Sequence, residues 1–144
     1  KNVKEKDAQD YIFGYCIVND ISERSWQKER GGQWIKGKSV AGPCGPMLVT
    51  KDEIQNINDI NLTLKVNGEK RQAGNTSRMI FNFNFLVSHI SQFMTLYPGT
   101  VITTGTPAGT AMEMAEPKFL QPGDKLSLKV DHLGEQNHSV IDEG

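Results

Sequence analysis

Long apolar runs, clustered cysteines and a surplus of charge are all missing from this 144-residue chain. No stretch approaches the roughly 18 apolar residues that a membrane-spanning helix requires. Residues 1–10 are highly charged with no apolar run behind them, so the start does not read as a signal peptide. A formal net charge of −1 gives no electrostatic reason to expect nucleic acid or an anionic membrane as partner. Cys16 and Cys44 are the only cysteines, and neither belongs to a CxxC or Cys/His spacing suited to zinc. Two separated thiols fit a reducing compartment, which makes the cytoplasm the expected location. Within its apolar run Cys16 reads as a small buried thiol. The three histidines, His89, His132 and His138, pair with no acid by spacing, and no serine has a nucleophile-elbow context. Serine-type hydrolysis therefore has little support. Gly37-Lys38-Ser39 does not complete the phosphate-cradling pattern GxxxxGK[ST], and nucleotide binding falls with it.

What is present is ordinary in bulk. Hydrophobic residues make up 37% and charged residues 23%, which suits one soluble domain with a real core. Residues 11–19 (YIFGYCIVN) are aromatic and β-branched and predict a buried strand. Residues 22–29 predict a short helix or 3₁₀ turn, and Gly31-Gly32 with Gly37 a glycine-rich loop. The clearest local signal comes next. Residues 61–66 alternate polar and apolar, Asn67-Gly68 supplies a type I′ turn and residues 69–73 return, which predicts a β-hairpin. Asn75 offers a helix N-cap, and spacings of three and four over residues 79–95 predict one amphipathic helix ended by Tyr97-Pro98-Gly99. Residues 100–104 and 125–130 predict strands, with one more at the end. Six or seven strands and one main helix make a β-rich α+β domain.

Polar chemistry sits where two of these apolar stretches run out. Asp20 comes after the first; as a hard oxygen it suits Mg²⁺ or Mn²⁺, and as half of an Asn-Asp pair it equally suits a structural turn. Lys38 is either a solvated surface charge or a counter-charge to a substrate oxygen. Gln27 can donate its amide to a carbonyl or simply face water on a helix. Gly105-Thr106 ends the later stretch, where glycine admits a ligand to the backbone and the threonine amide and hydroxyl can hold a carboxylate; an ordinary turn fits the same residues. A β-rich carbohydrate or peptide binder is a further reading, with only Trp26 and Trp34 as tryptophans to support it.

Taken in order, VNDISERSWQ, QWIKGKS, GPMLVT, LKVNGEKRQAGNTSRMIF, SQFMTLYPGTVITTGTPAG and FLQPGDKLSLKV resemble the C-terminal part of the fumarylacetoacetate hydrolase family. The resemblance implies a twisted mixed β-roll, assembled as a homodimer, using Mg²⁺ or Mn²⁺ (with Ca²⁺ as a further option). It implies action on 2-oxo or 1,3-dicarbonyl acids through a metal-stabilised enolate. The activity would be that of an acylpyruvate hydrolase or a 2-hydroxyhepta-2,4-diene-1,7-dioate isomerase, with an oxaloacetate decarboxylase or tautomerase as an alternative. By the same resemblance Asp20 is a metal ligand, Lys38 catalytic, and Gln27, Gly105 and Thr106 substrate-binding. The chain departs from the family in three places. No Glu-x-Glu metal pair precedes Asp20, the Glu-His dyad is absent, and the loop after Lys38 is about two residues shorter and lacks a threonine. The expectation is one domain over residues 1–144, truncated on its N-terminal side. A catalytically silent fragment or dimerisation module of the same fold is the competing one.

Overall fold

The computed structural model describes residues 1–30 and 42–142. Two antiparallel sheets carry the architecture. The larger has four strands in the order β4-β3-β5-β6: β3 (Asn61–Val66), β4 (Glu69–Asn75), β5 (Lys125–Val130) and β6 (Gly134–Ser139). The smaller pairs β1 (Gly14–Tyr15) with β2 (Val49–Thr50), and an isolated bridge continues it at Val18 and Cys44. Among the described residues two α-helices, α1 (Arg24–Arg30) and α2 (Phe83–Phe93), and short 3₁₀ turns complete a sheet-dominated α+β fold.

The hairpin between β3 and β4 forms as its sequence predicts. Asn67 and Gly68 both take positive φ, 51° and 82°, the requirement of a type I′ turn. The Asn67 side chain then ties this turn to the start of β5, donating to Asp124 at 2.7 Å and accepting from the Lys125 amide at 2.9 Å. A bulge interrupts the ladder: Leu64 faces Gln72 and Lys65 faces Lys70, so Arg71 is the extra residue on the edge strand.

Other expectations need correction. The strand expected over residues 11–19 shrinks to two residues, because a 3₁₀ turn (Glu5–Tyr11) occupies its beginning and leaves Tyr11 67% and Phe13 71% exposed. Residues 100–104 form no strand with the described residues, and Val101 is exposed. The helix begins later than its apolar spacing suggests. Asn75 caps only the 3₁₀ turn Thr76–Arg78, accepting from the Ser77 amide at 2.8 Å, after which Met79 is extended. Asn82 restarts the chain as the N-cap of α2, accepting from the Phe85 amide at 2.8 Å.

Two small cores hold these pieces. Ile17, Ile54, Ile60, Leu128 and Leu133 form one, between the sheets. Val3, Ala8 and Val87 form the other, beneath α2, where fully buried Ser91 accepts from the Val3 amide at 2.9 Å and donates to the Ser88 carbonyl at 2.8 Å.

Candidate functional site

Asp20 is exposed and stands two residues beyond Val18, whose bridge ends the first extended segment. The turn that presents it is tight: the Ile21 amide donates to the Asn19 carbonyl at 2.9 Å, and the Ser22 hydroxyl donates to the Asp20 carbonyl at 3.3 Å. Asn19 is 8% exposed and anchored by its amide on the Pro43 carbonyl at 3.0 Å. The strand-like approach thus buries residue 19 and turns residue 20 outward.

Gly105 and Thr106 lie in the connection between α2 and β5. Gly105 has φ +88°, and a side chain added there would meet no heavy atom within 4 Å, so its face is open to a ligand. Thr106 is positioned by a residue the sequence did not single out. Gln72 on β4 donates through Nε2 to Thr106 Oγ1 at 2.9 Å and to the Pro107 carbonyl at 2.8 Å. Behind them Gly109, at φ +107°, packs so closely on β4 that a Cβ would lie 2.0 Å from the Arg71 carbonyl oxygen. Glu113 closes this loop, accepting from the Gly109 and Thr110 amides at 2.7 and 2.8 Å. The Thr110 amide first, then that of Gly109, holds the Glu113 carboxyl below the ordinary glutamate range.

Asp20, Gly105 and Thr106 line one open cleft of about 1810 Å³, together with Asn19, Arg71 and Gln72. Two buried donors on lining residues, Asn19 Nδ2 and Arg71 Nε, have no hydrogen-bond partner among the described residues. Arg71 is the bulged residue; its side chain is 13% exposed, and its other nitrogens touch Met114 Sδ at 3.2 Å and Glu69 at 3.5 Å. A buried donor left unmet bears a desolvation cost. No pattern in the sequence marked either one.

Gln27 is not among the lining residues; on α1 its Oε1 accepts from Arg24 at 2.8 Å. Lys38, with the Gly31-Gly32 and Gly37 loop, lies outside the described residues. Among the described residues no three His, Cys, Asp or Glu side chains gather to hold a metal ion. Asp20 fits as a single hard oxygen ligand at a polar rim, a contribution to a site and not a complete cage. No helix among the described residues is long and apolar enough to cross a membrane.

Comparison with known proteins gives this geometry its context. Residues 1–141 match the family described as fumarylacetoacetate (FAA) hydrolase C-terminal. A curated relative from Burkholderia ambifaria (strain MC40-6) is 51% identical over 143 residues, covering 97% of this chain and 51% of its own length. The chain thus spans about half the length of the curated relatives it matches. Among solved structures, fumarylacetoacetate hydrolase from Exiguobacterium antarcticum is 36% identical with a TM-score of 0.90, covering 99% of this chain and 52% of that one. 2-Hydroxyhepta-2,4-diene-1,7-dioate isomerase from Mycobacterium marinum is 37% identical with a TM-score of 0.84, covering 100% and 54%. Maleylpyruvate hydrolase from Sphingobium sp. SYK-6, in complex with manganese(II) and pyruvate, is 28% identical with a TM-score of 0.84, covering 98% and 48%.

Proposed function

The chain belongs to the fumarylacetoacetate hydrolase family, and from that premise we propose that it forms part of a divalent-metal-dependent hydrolase or isomerase of 2-oxo or 1,3-dicarbonyl acids. Hydrolysis of an acylpyruvate or isomerisation of a 2-hydroxyhepta-2,4-diene-1,7-dioate type substrate fits best. The observation that carries the reading is the shared cleft of Asp20 and the Gly105-Thr106 turn. The whole protein is proposed to be a cytoplasmic homodimer in which residues 1–144 are one domain continued on the N-terminal side.

In this reading Asp20 would be one ligand of a Mg²⁺ or Mn²⁺ ion, which when bound supplies Lewis-acid polarisation of neighbouring ketone and carboxylate oxygens. The Thr106 hydroxyl and backbone amide receive the substrate carboxylate, with Gln72 fixing the rotamer of that hydroxyl. A threonine held from behind loses less freedom on binding, so more of its hydrogen-bond energy goes to orientation. Lys38 is proposed to counter negative charge developing on the substrate, and Gln27 to reach it once bound.

The absence of a three-acid cluster among the described residues favours one second reading, a catalytically silent module of the same fold. Calorimetric titration of the complete protein with Mn²⁺ and oxalate separates the two. Tight binding that Asp20→Ala abolishes, together with turnover of an acylpyruvate, is the expected outcome. No heat at millimolar ligand would leave the silent module.

A further inference from the structure

We propose that Cys16 and Cys44 form a modification site, a dithiol that a peroxide-class oxidant closes to an intramolecular disulfide. The two thiols are 28 residues apart in the chain, yet their sulfurs lie 3.4 Å from one another, and both are free. The approach is built into the backbone. The Asn19 amide donates to the Pro43 carbonyl and the Gly45 amide to the Ile17 carbonyl, each at 3.0 Å, so the two segments run side by side. Gln136 on β6 clamps both from one side, its Nε2 donating to Gly45 O at 2.7 Å and to Ile17 O and Pro43 O at 3.3 Å. A disulfide needs about 2.05 Å between sulfurs, so closure asks the two to approach by roughly 1.4 Å.

Exposure divides the roles. Cys44 is exposed and meets the oxidant; Cys16 is half-buried behind it. The Cys44 thiolate attacks one peroxide oxygen, forming an S–O bond as the O–O bond breaks, and the departing hydroxide takes up the proton the thiol released and leaves as water. The sulfur is oxidised to a sulfenic acid and the peroxide is reduced. Cys16 then attacks the Cys44 sulfur, forming S–S as S–O breaks, and its thiol proton departs with the second water. Two thiols and one peroxide become one disulfide and two waters. Burial first, then the hydrogen bond and charge of Cys44, pushes the Cys16 thiol up to about 11. Cys16 therefore stays protonated until a neighbouring sulfenic acid draws it in. The bond would staple the strand-like approach to Asp20 onto the segment at Pro43–Gly45 without involving any residue assigned to the reaction.

The test treats the complete, reduced protein with a few equivalents of hydrogen peroxide, enough to carry an unpartnered thiol to sulfinic acid, then alkylates it and maps its peptides by mass. The expected result is the joint loss of both thiols, a peptide pair linked through Cys16 and Cys44, and full recovery with dithiothreitol. Cys16→Ser should leave Cys44 to proceed to sulfinic acid. Amide exchange at Asn19 and Gly45 should slow on oxidation, a readout independent of activity. Cys44 sulfinic acid beside an alkylated Cys16 in the wild-type protein, a disulfide between chains, or two unreacted thiols would each overturn the proposal. Unchanged exchange at both amides would remove the staple.

Discussion

Thr106, proposed to bind the substrate, shows how one side chain is positioned by another that need not touch the ligand. Its hydroxyl is held by Gln72 Nε2, whose second hydrogen bond fixes the Pro107 carbonyl. Gln72→Leu keeps the volume and removes both bonds. In the complete enzyme it should raise KM roughly tenfold with a smaller change in kcat, the cost of about one hydrogen bond. Steady-state kinetics beside a thermal melt separates this from misfolding. A second residue-scale expectation concerns Thr76, whose hydroxyl accepts from the Ile60 amide at 2.9 Å and donates to the Ile57 carbonyl at 2.6 Å. Thr76→Val leaves both groups unpaired and should cost about 1–3 kcal/mol, read from the urea midpoint. Asp20, Gly105 and Thr106, the residues proposed for the site, were legible in the sequence because each stands in a motif with a resemblance. Gln72, Asn19 Nδ2 and Arg71 Nε were not, since their importance lies in who faces whom across the chain.

At the scale of elements, the loop from Gly109 to Glu113 is held by carboxylate hydrogen bonds and by a glycine with no room for Cβ. The Glu113 carboxyl, depressed by the Thr110 and Gly109 amides, binds fewer protons folded than unfolded. Its contribution is therefore fully present above the ordinary glutamate pKa and lost as pH falls through the lowered one. Asp124 has the same sign, lowered first by the Gln121 amide and then by the Asn67 side chain. Urea midpoints should fall on acidification across that window, and Glu113→Gln should flatten part of the decline. A midpoint that rose on acidification would reverse the sign. Elements with their own turn chemistry, such as the β3–β4 hairpin, could be read in advance because Asn67-Gly68 enforces the register locally. The strand expected over residues 11–19 could not. Its aromatic composition promises burial, but burial depends on a partner surface, and a 3₁₀ turn claims its first residues. The delayed start of α2 has the same origin. Apolar spacing runs on through Met79 and Ile80, while Asn75 caps a separate 3₁₀ turn and Asn82 alone caps the helix.

Over the whole molecule the surface is too large for the mass. A compact monomer of 16.0 kDa exposes roughly 7,400 Å², against 9865 Å² here. Much of the excess is apolar and faces the cleft: Tyr11, Phe13, Leu48, Tyr97, Val101 and Phe119 are all exposed there. A second apolar column runs along α2, where Phe85 stacks between Phe81 and His89 at centroid distances of 4.6 and 5.5 Å. Residues 1–144 expressed alone should bind a hydrophobic dye and self-associate, as large apolar patches do. A protein of the relatives' full length should do neither.

Across the cleft they share, Asp20 and Thr106 are proposed to serve one bound metal and one bound 2-oxo acid. Paramagnetic broadening of amide resonances in the complete protein, loaded with Mn²⁺ and oxalate, tests it directly. Joint loss of the Asp20 and Thr106 signals, restored when Mg²⁺ replaces Mn²⁺, is the expected result. Broadening at Asp20 with a sharp Thr106 signal would contradict a shared site.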